Sequence, residues 1–141
     1  VPTENAPLRT RVEPGVAALE KVRRQAVEHL GRFGSCAGNR TVYAVELVLE
    51  EWLTNVFRHG AGTTVAVEMA VDGRRVDLRF EDDGSPFDPT TAPERPLPHT
   101  LEEAEPGGLG LFFIRRYSRT WRYSREGGRN VMRVEIDCVP A

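Results

Sequence analysis

The sequence predicts an α/β (α+β) fold: a two-layer sandwich in which a mixed, mostly antiparallel sheet carries three helices on one face. Three observations predict it. Alternating β-branched runs and apolar periodicities of helical spacing follow one another in the order β-α-α-β-β-loop-α-β-β. Two pairs of consecutive strands are joined by tight turns, which makes each pair antiparallel. Apolar residues make up 40% of the 141-residue chain, enough for one core closed by helices against one sheet face.

The elements follow in order. Residues 1–7 are polar and contain proline, and are expected to form a flexible N-terminus ahead of a single domain over 8–138. LRTRV (8–12) alternates as a short strand and is broken by Pro14 and Gly15. From Val16 the period becomes helical: Val16, Leu19, Val22, Val27 and Leu30 share roughly one face, and Gly31 and Gly34 end the helix. Asn39 is the expected N-cap of a second helix, RTVYAVELVLEEWLTNVFRHG, which Gly60 and Gly62 close. TTVAVEMAVDG and RRVDLRFED are strands joined by a two-residue Asp72-Gly73 hairpin turn. Residues 84–107 are rich in proline and acid and lack periodicity. A connection that long reads as a lid or binding loop. GGLGLFFIRRYS opens a third helix, and TWRYSRE and NVMRVEI, joined across GGR, form a closing hairpin.

Composition narrows the function. A net charge of −2 gives no global basic field, so neither direct nucleic-acid binding nor an anionic membrane surface is expected. No apolar run is long enough for a membrane span, and VPTENAPLRT lacks the apolar segment of a signal peptide. Cys36 and Cys138 have no CxxC spacing and no histidine at metal-ligand spacing. Free thiols in a reducing cytoplasm are expected, not a disulfide.

Three constellations carry possible chemistry. Glu51, Asn55 and His59 recur at i, i+4 and i+8 on the second helix, within an arc of about 80°, beside the apolar stripe of Val45, Val48, Leu49, Trp52, Leu53 and Val56. An amphipathic helix with polar boundary residues has the same pattern. So does a carboxylate that positions a nucleophile one turn from an amide oxygen that holds Mg²⁺. Asp82 and Asp83 end a strand next to Gly84 and Phe87. They fit a plain turn, or a carboxylate that accepts a hydrogen bond from an exocyclic amine while Gly84 lets a base lie close. GGLGL (107–111) fits an ordinary glycine-rich loop, or backbone N–H groups at a helix N-terminus that receive phosphate.

In this order the three constellations bring a family into view. The sequence resembles the GHKL ATPase superfamily of gyrase, heat-shock chaperone, histidine-kinase and mismatch-repair ATP domains, with its Bergerat-type fold. EEWLTNVFRHG looks like the N-box, DDGSPFDP like the first glycine box and GGLGLFFI like the second. The wording LEE-x-LTN-x-x-RHG and DDG-x-PFDP is similar to the bacterial anti-sigma factor serine kinases, and the likeness spans about residues 8–138.

The resemblance implies ATP and Mg²⁺ as cofactors. Asn55 would coordinate the metal, Glu51 would act as general base for a serine hydroxyl or for water, and Asp82 would hold the adenine amine. Gly84 would shape the pocket, and Gly108 and Gly110 would cradle the phosphates. Arg115 or Arg116 would approach the phosphates or a partner, and His59 matches a family histidine to which no role is attached. It implies a cytoplasmic protein-serine kinase that binds a sigma factor and phosphorylates a small STAS-type antagonist. A homodimer contact would use the exposed sheet face or the first helix with Arg23-Arg24. One departure is Pro86, which stands where the family's first box has its second glycine and removes a backbone donor. The alternative is a non-catalytic nucleotide-binding or protein-docking module on the same fold.

Overall fold

The computed structural model describes residues 6–59, 63–88 and 110–138. Five strands, β1 (Leu8–Val12), β2 (Val65–Val71), β3 (Arg75–Asp82), β4 (Thr120–Glu126) and β5 (Arg129–Asp137), form one sheet in the order β1-β2-β3-β5-β4. Three helices, α1 (Val16–Leu30), α2 (Asn39–His59) and α3 (Gly110–Tyr117), complete the described elements, with a 3₁₀ turn at Gly34–Cys36. The element order is the expected one. The sheet, expected to be mixed, is antiparallel at every pairing.

The period-2 pattern sorts the faces. Val65, Val67, Met69 and Val71 of β2, Val76, Leu78 and Phe80 of β3, and Met132, Val134 and Ile136 of β5 are buried under the helices. The α2 stripe meets them through Val45, Val48, Leu49, Trp52 and Leu53, all 2% exposed or less. Each such side chain stabilises the fold by about 1.5–3 kcal/mol relative to exposure, so this stripe fixes which way α2 turns its polar border. The outer sheet face is instead a lattice of ion pairs, among them Arg9–Glu68 at 3.1 Å, Arg79–Glu81 at 3.1 Å and Arg75–Glu135 at 3.4 Å.

Details differ from the sequence expectations for local reasons. The helix α2 starts one residue early: Val42 N–H bonds to the Gly38 carbonyl, so Gly38 precedes the first turn and Asn39 lies within it. The β2–β3 turn closes on the Asp72 N–H to Arg75 carbonyl bond, with Gly73 and Arg74 as its central residues. The Asp72 carboxylate displaces the turn by one residue, because it accepts from the Arg74 and Arg75 N–H groups at 2.8 Å each. Those two bonds also hold its carboxyl below the usual aspartate range.

One expectation is corrected. Cys36 and Cys138 are joined in a disulfide. A separation of 102 residues carries no pairing signal, but the fold brings their Cα atoms to 4.9 Å. Around the bond, Ser35 Oγ donates to the Gly73 carbonyl and Cys138 N–H donates to the Arg74 carbonyl. Arg23 pairs with Glu46 at 2.7 Å, which ties α1 to α2 and leaves Arg24 as the exposed member of the pair. Among the described residues, no helix is long and apolar enough to cross a membrane.

Candidate functional site

The inward face of the sheet is apolar until its end. On β3 the alternation Val76, Leu78, Phe80 is continued by Asp82, and on β5 the series Ile136, Val134, Met132 is continued by Asn130. The two polar residues are register partners, 4% and 5% exposed. Most buried polar groups are hydrogen-bonded, and these are. Asn130 Nδ2 donates to Asp82 Oδ1 at 3.0 Å and to the Ser85 carbonyl at 2.9 Å, with a longer contact to the Gly84 carbonyl. Its Oδ1 accepts from Tyr123 Oη at 2.5 Å and from Arg125 at 3.0 Å. Asp82 Oδ1 also accepts from the Gly84 N–H at 2.9 Å, and Arg125 donates to the Gly84 carbonyl at 2.9 Å. Asp82 Oδ2 takes part in no hydrogen bond among the described residues.

This network borders a cavity of about 140 Å³. From α2 it is lined by Trp52, Asn55, Val56 and His59, which the helical spacing sets on one face. Asp82 and Asn130 line it from the sheet, and the Ser85–Phe87 turn closes it. Phe87 is stacked on His59, ring centroids 5.5 Å apart and planes 19° from parallel, which joins that turn to the end of α2. The Trp52 ring packs on Phe80 at 6.4 Å. Two buried donors, Asn55 Nδ2 and Trp52 Nε1, have no partner among the described residues. A larger depression of about 370 Å³ lies at the same sheet end and shares Asp82, but charged Arg11, Glu81, Asp83 and Arg129 line it. The smaller cavity combines apolar walls with a few convergent polar groups, the usual character of a ligand site.

The structure brings together Asn55, His59 and Asp82, and it places Gly84 within the bonded turn. Glu51 lies one turn back on α2, half-buried, and is not among the cavity-lining residues. Burial raises its carboxyl above the ordinary range, and the neighbouring Glu50 carboxylate adds to that rise. Gly110 is the first residue of α3, whereas Gly108 and most of the expected lid, residues 89–107, lie outside the described residues. The Arg115 guanidinium lies over the Trp121 ring at 5.6 Å, and Arg116 is exposed. Pro86 does not unsettle its turn, because Asn130 and Arg125 hold the carbonyls of Gly84 and Ser85 just before it.

Sequence reasoning missed Asn130 and treated Trp52 as core alone. For Asn130 the signal was available: a polar residue in phase with Met132, Val134 and Ile136 must point inward.

The residues fit a purine base and its metal in distinct ways. At about 140 Å³ the cavity is of the size of a base and smaller than the site of a whole nucleotide, roughly 300 Å³ or more. Among the described residues, no group of three or more His, Cys, Asp or Glu side chains could hold a metal ion. A single amide such as Asn55 suits Mg²⁺ that arrives with phosphates, since that ion takes only one or two protein oxygens there.

Comparison with known proteins gives the family. Residues 12–136 match the family model described as "Histidine kinase-like ATPase domain". The chain belongs to that family and is a kinase-like ATPase domain. It is 30% identical over 105 residues to the serine/threonine-protein kinase BtrW of Bordetella bronchiseptica, an alignment covering 72% of this chain and 74% of BtrW. Among solved structures it resembles the Acinetobacter baumannii histidine kinase AdeS, with a TM-score of 0.51 and 18% identity. That likeness covers 92% of this chain and 68% of AdeS, and it supports the fold alone.

Proposed function

We propose that the protein is a Mg·ATP-dependent protein-serine kinase of the anti-sigma type. The observation that carries this is the convergence of Asn55 from α2 and Asp82 from β3 on one base-sized cavity, with Asp82 Oδ2 unused. Asp82 Oδ2 receives the adenine amine, and Asn130 keeps Oδ1 occupied so that the carboxylate presents one defined oxygen. Asn55 Oδ1 would hold Mg²⁺, which would supply charge neutralisation at the phosphates. Glu51 takes the proton from a serine hydroxyl as its oxygen bonds to the γ-phosphorus and the bond to ADP breaks. Its raised pKa makes it a better base than a solvated glutamate. Gly110 lets backbone N–H groups approach phosphate at the α3 N-terminus, and the wording of the second glycine box gives Gly108, outside the described residues, the same role.

The match to BtrW supports a serine/threonine acceptor. The partners follow from the wording of the two boxes: a sigma factor restrained by the kinase, and a STAS-type antagonist that is its phosphoacceptor, both cytoplasmic. The proposed homodimer uses the outer sheet face or the exposed side of α1 around Arg24.

The test is transfer of the γ-phosphoryl group from Mg·ATP to a panel of STAS-domain antagonists, read by intact mass. One antagonist should gain one phosphoryl group on serine with the wild type, and none with Glu51→Gln. Nucleotide binding without transfer to any antagonist would leave a docking module in place of the kinase.

A further inference from the structure

Trp52 is 2% exposed and lines the base cavity, yet its Nε1–H has no partner among the described residues. A buried indole N–H normally finds an acceptor. Its ring is 2% exposed and packs on Phe80 at 6.4 Å, so turning the N–H away would disturb core packing. We infer that Trp52 is a specificity-determining residue: its Nε1–H donates to a ring nitrogen beside the exocyclic amine of the bound adenine. The inference rests on the adenine-site reading above and adds a residue to it.

Complementarity carries the argument. Asp82 and Trp52 both line the cavity; among the described residues Asp82 Oδ2 is an unused acceptor, and Trp52 Nε1–H is an unused donor, as is Asn55 Nδ2. Adenine presents the matching pair, an amine donor flanked by lone-pair nitrogens. Guanine presents a carbonyl where the amine was, and a ring N–H beside it on its pairing edge. Against this cavity it would set an acceptor on the carboxylate and, where Trp52 reads the pairing edge, a donor on a donor as well. A site built around paired hydrogen bonds rejects the mismatched base more strongly than an apolar slot does. Trp52 and Asp82 therefore read two adjacent atoms of one base, one from the helix and one from the sheet.

The test measures the binding of ATP, 1-deaza-ATP, 7-deaza-ATP and GTP to the wild type and to Trp52→Phe, which keeps an aromatic ring and removes the N–H. The wild type should bind one deaza analogue roughly five- to tenfold more weakly than ATP. Trp52→Phe should bind ATP more weakly by the same factor and no longer distinguish ATP from that analogue. An unchanged ATP-to-analogue ratio in Trp52→Phe, with ATP still bound through Asp82, overturns the inference and leaves the adenine site standing. Absence of ATP binding to the wild type overturns both. Should Trp52→Phe not fold, the indole N–H resonances of the wild type decide, assigned with Trp121→Phe. The Trp52 resonance should move further downfield at saturation with ATP than with the discriminated analogue; a resonance indifferent to ATP, or moved equally by both, overturns the inference.

Discussion

Asn130 and Asp82 are register partners on adjacent strands, and the Asn130 amide donates to Asp82 Oδ1 at 3.0 Å while also holding the Ser85 carbonyl. One side chain thus fixes both the carboxylate proposed to read the base and the turn beside it. Asn130→Ala would leave the buried Asp82 carboxylate, the Tyr123 hydroxyl and the Ser85 carbonyl each short of a partner. We expect a loss of about 1–3 kcal/mol in stability, and ATP binding weaker by on the order of tenfold. Thermal denaturation and calorimetric titration check the two effects. ATP affinity unchanged in a destabilised Asn130→Ala would mean that Asn130 supports the fold only.

Glu51 predicts a pH dependence. Its carboxyl is raised by burial and by Glu50, so its charged form is disfavoured in the folded protein. A raised folded pKa contributes stability that is fully present below the unfolded value and is lost as pH rises through the folded one. Glu51→Gln should therefore be slightly more stable than the wild type at neutral pH. Phosphoryl transfer by the wild type should fall on acidification above the ordinary glutamate range, as the base takes up its proton. A pH–rate profile and melts of both proteins test this; an acid limb in the ordinary range would remove Glu51 from the base role.

The Cys36–Cys138 disulfide ties the entry of α2 to the end of β5, at the opposite end of β3 from Asp82. It closes a long loop, so reduction should cost roughly 2–5 kcal/mol and lower Tm by about 5–15 °C. Nucleotide affinity should be nearly unaffected, because the bond lies the length of the sheet away from the cavity. Melts and titrations with and without dithiothreitol check both statements. An equal Tm in the two states would contradict the stabilising role. In a reducing cytoplasm the dithiol would be the working form.

The legible and the hidden parts of this protein divide along physical lines. Strands β2, β3 and β5 and helix α2 were readable because each buries one face, which imposes a strict period on its residues. Asp82 and Asn55 were readable because polar residues at fixed places in such elements form a motif. The disulfide was not, since a contact across 102 residues depends on the finished topology. The partner of Asp82 was hidden for the same reason: the β3–β5 register follows from β5 inserting between β3 and β4, which no local pattern encodes. Trp52 reads as core by periodicity, and only its unpaired N–H in the folded cavity marks it as more.

The central claim is that Asp82 and Asn55 bound one Mg·ATP site. It is tested most directly by calorimetric titration of ATP, with and without Mg²⁺, into the wild type, Asp82→Ala and Asn55→Ala. The account predicts that the wild type binds and that Mg²⁺ tightens the binding. Asp82→Ala should lose ATP in either condition, and Asn55→Ala should bind ATP but gain nothing from Mg²⁺. Wild-type protein that shows neither heat nor thermal stabilisation at millimolar ATP would contradict it.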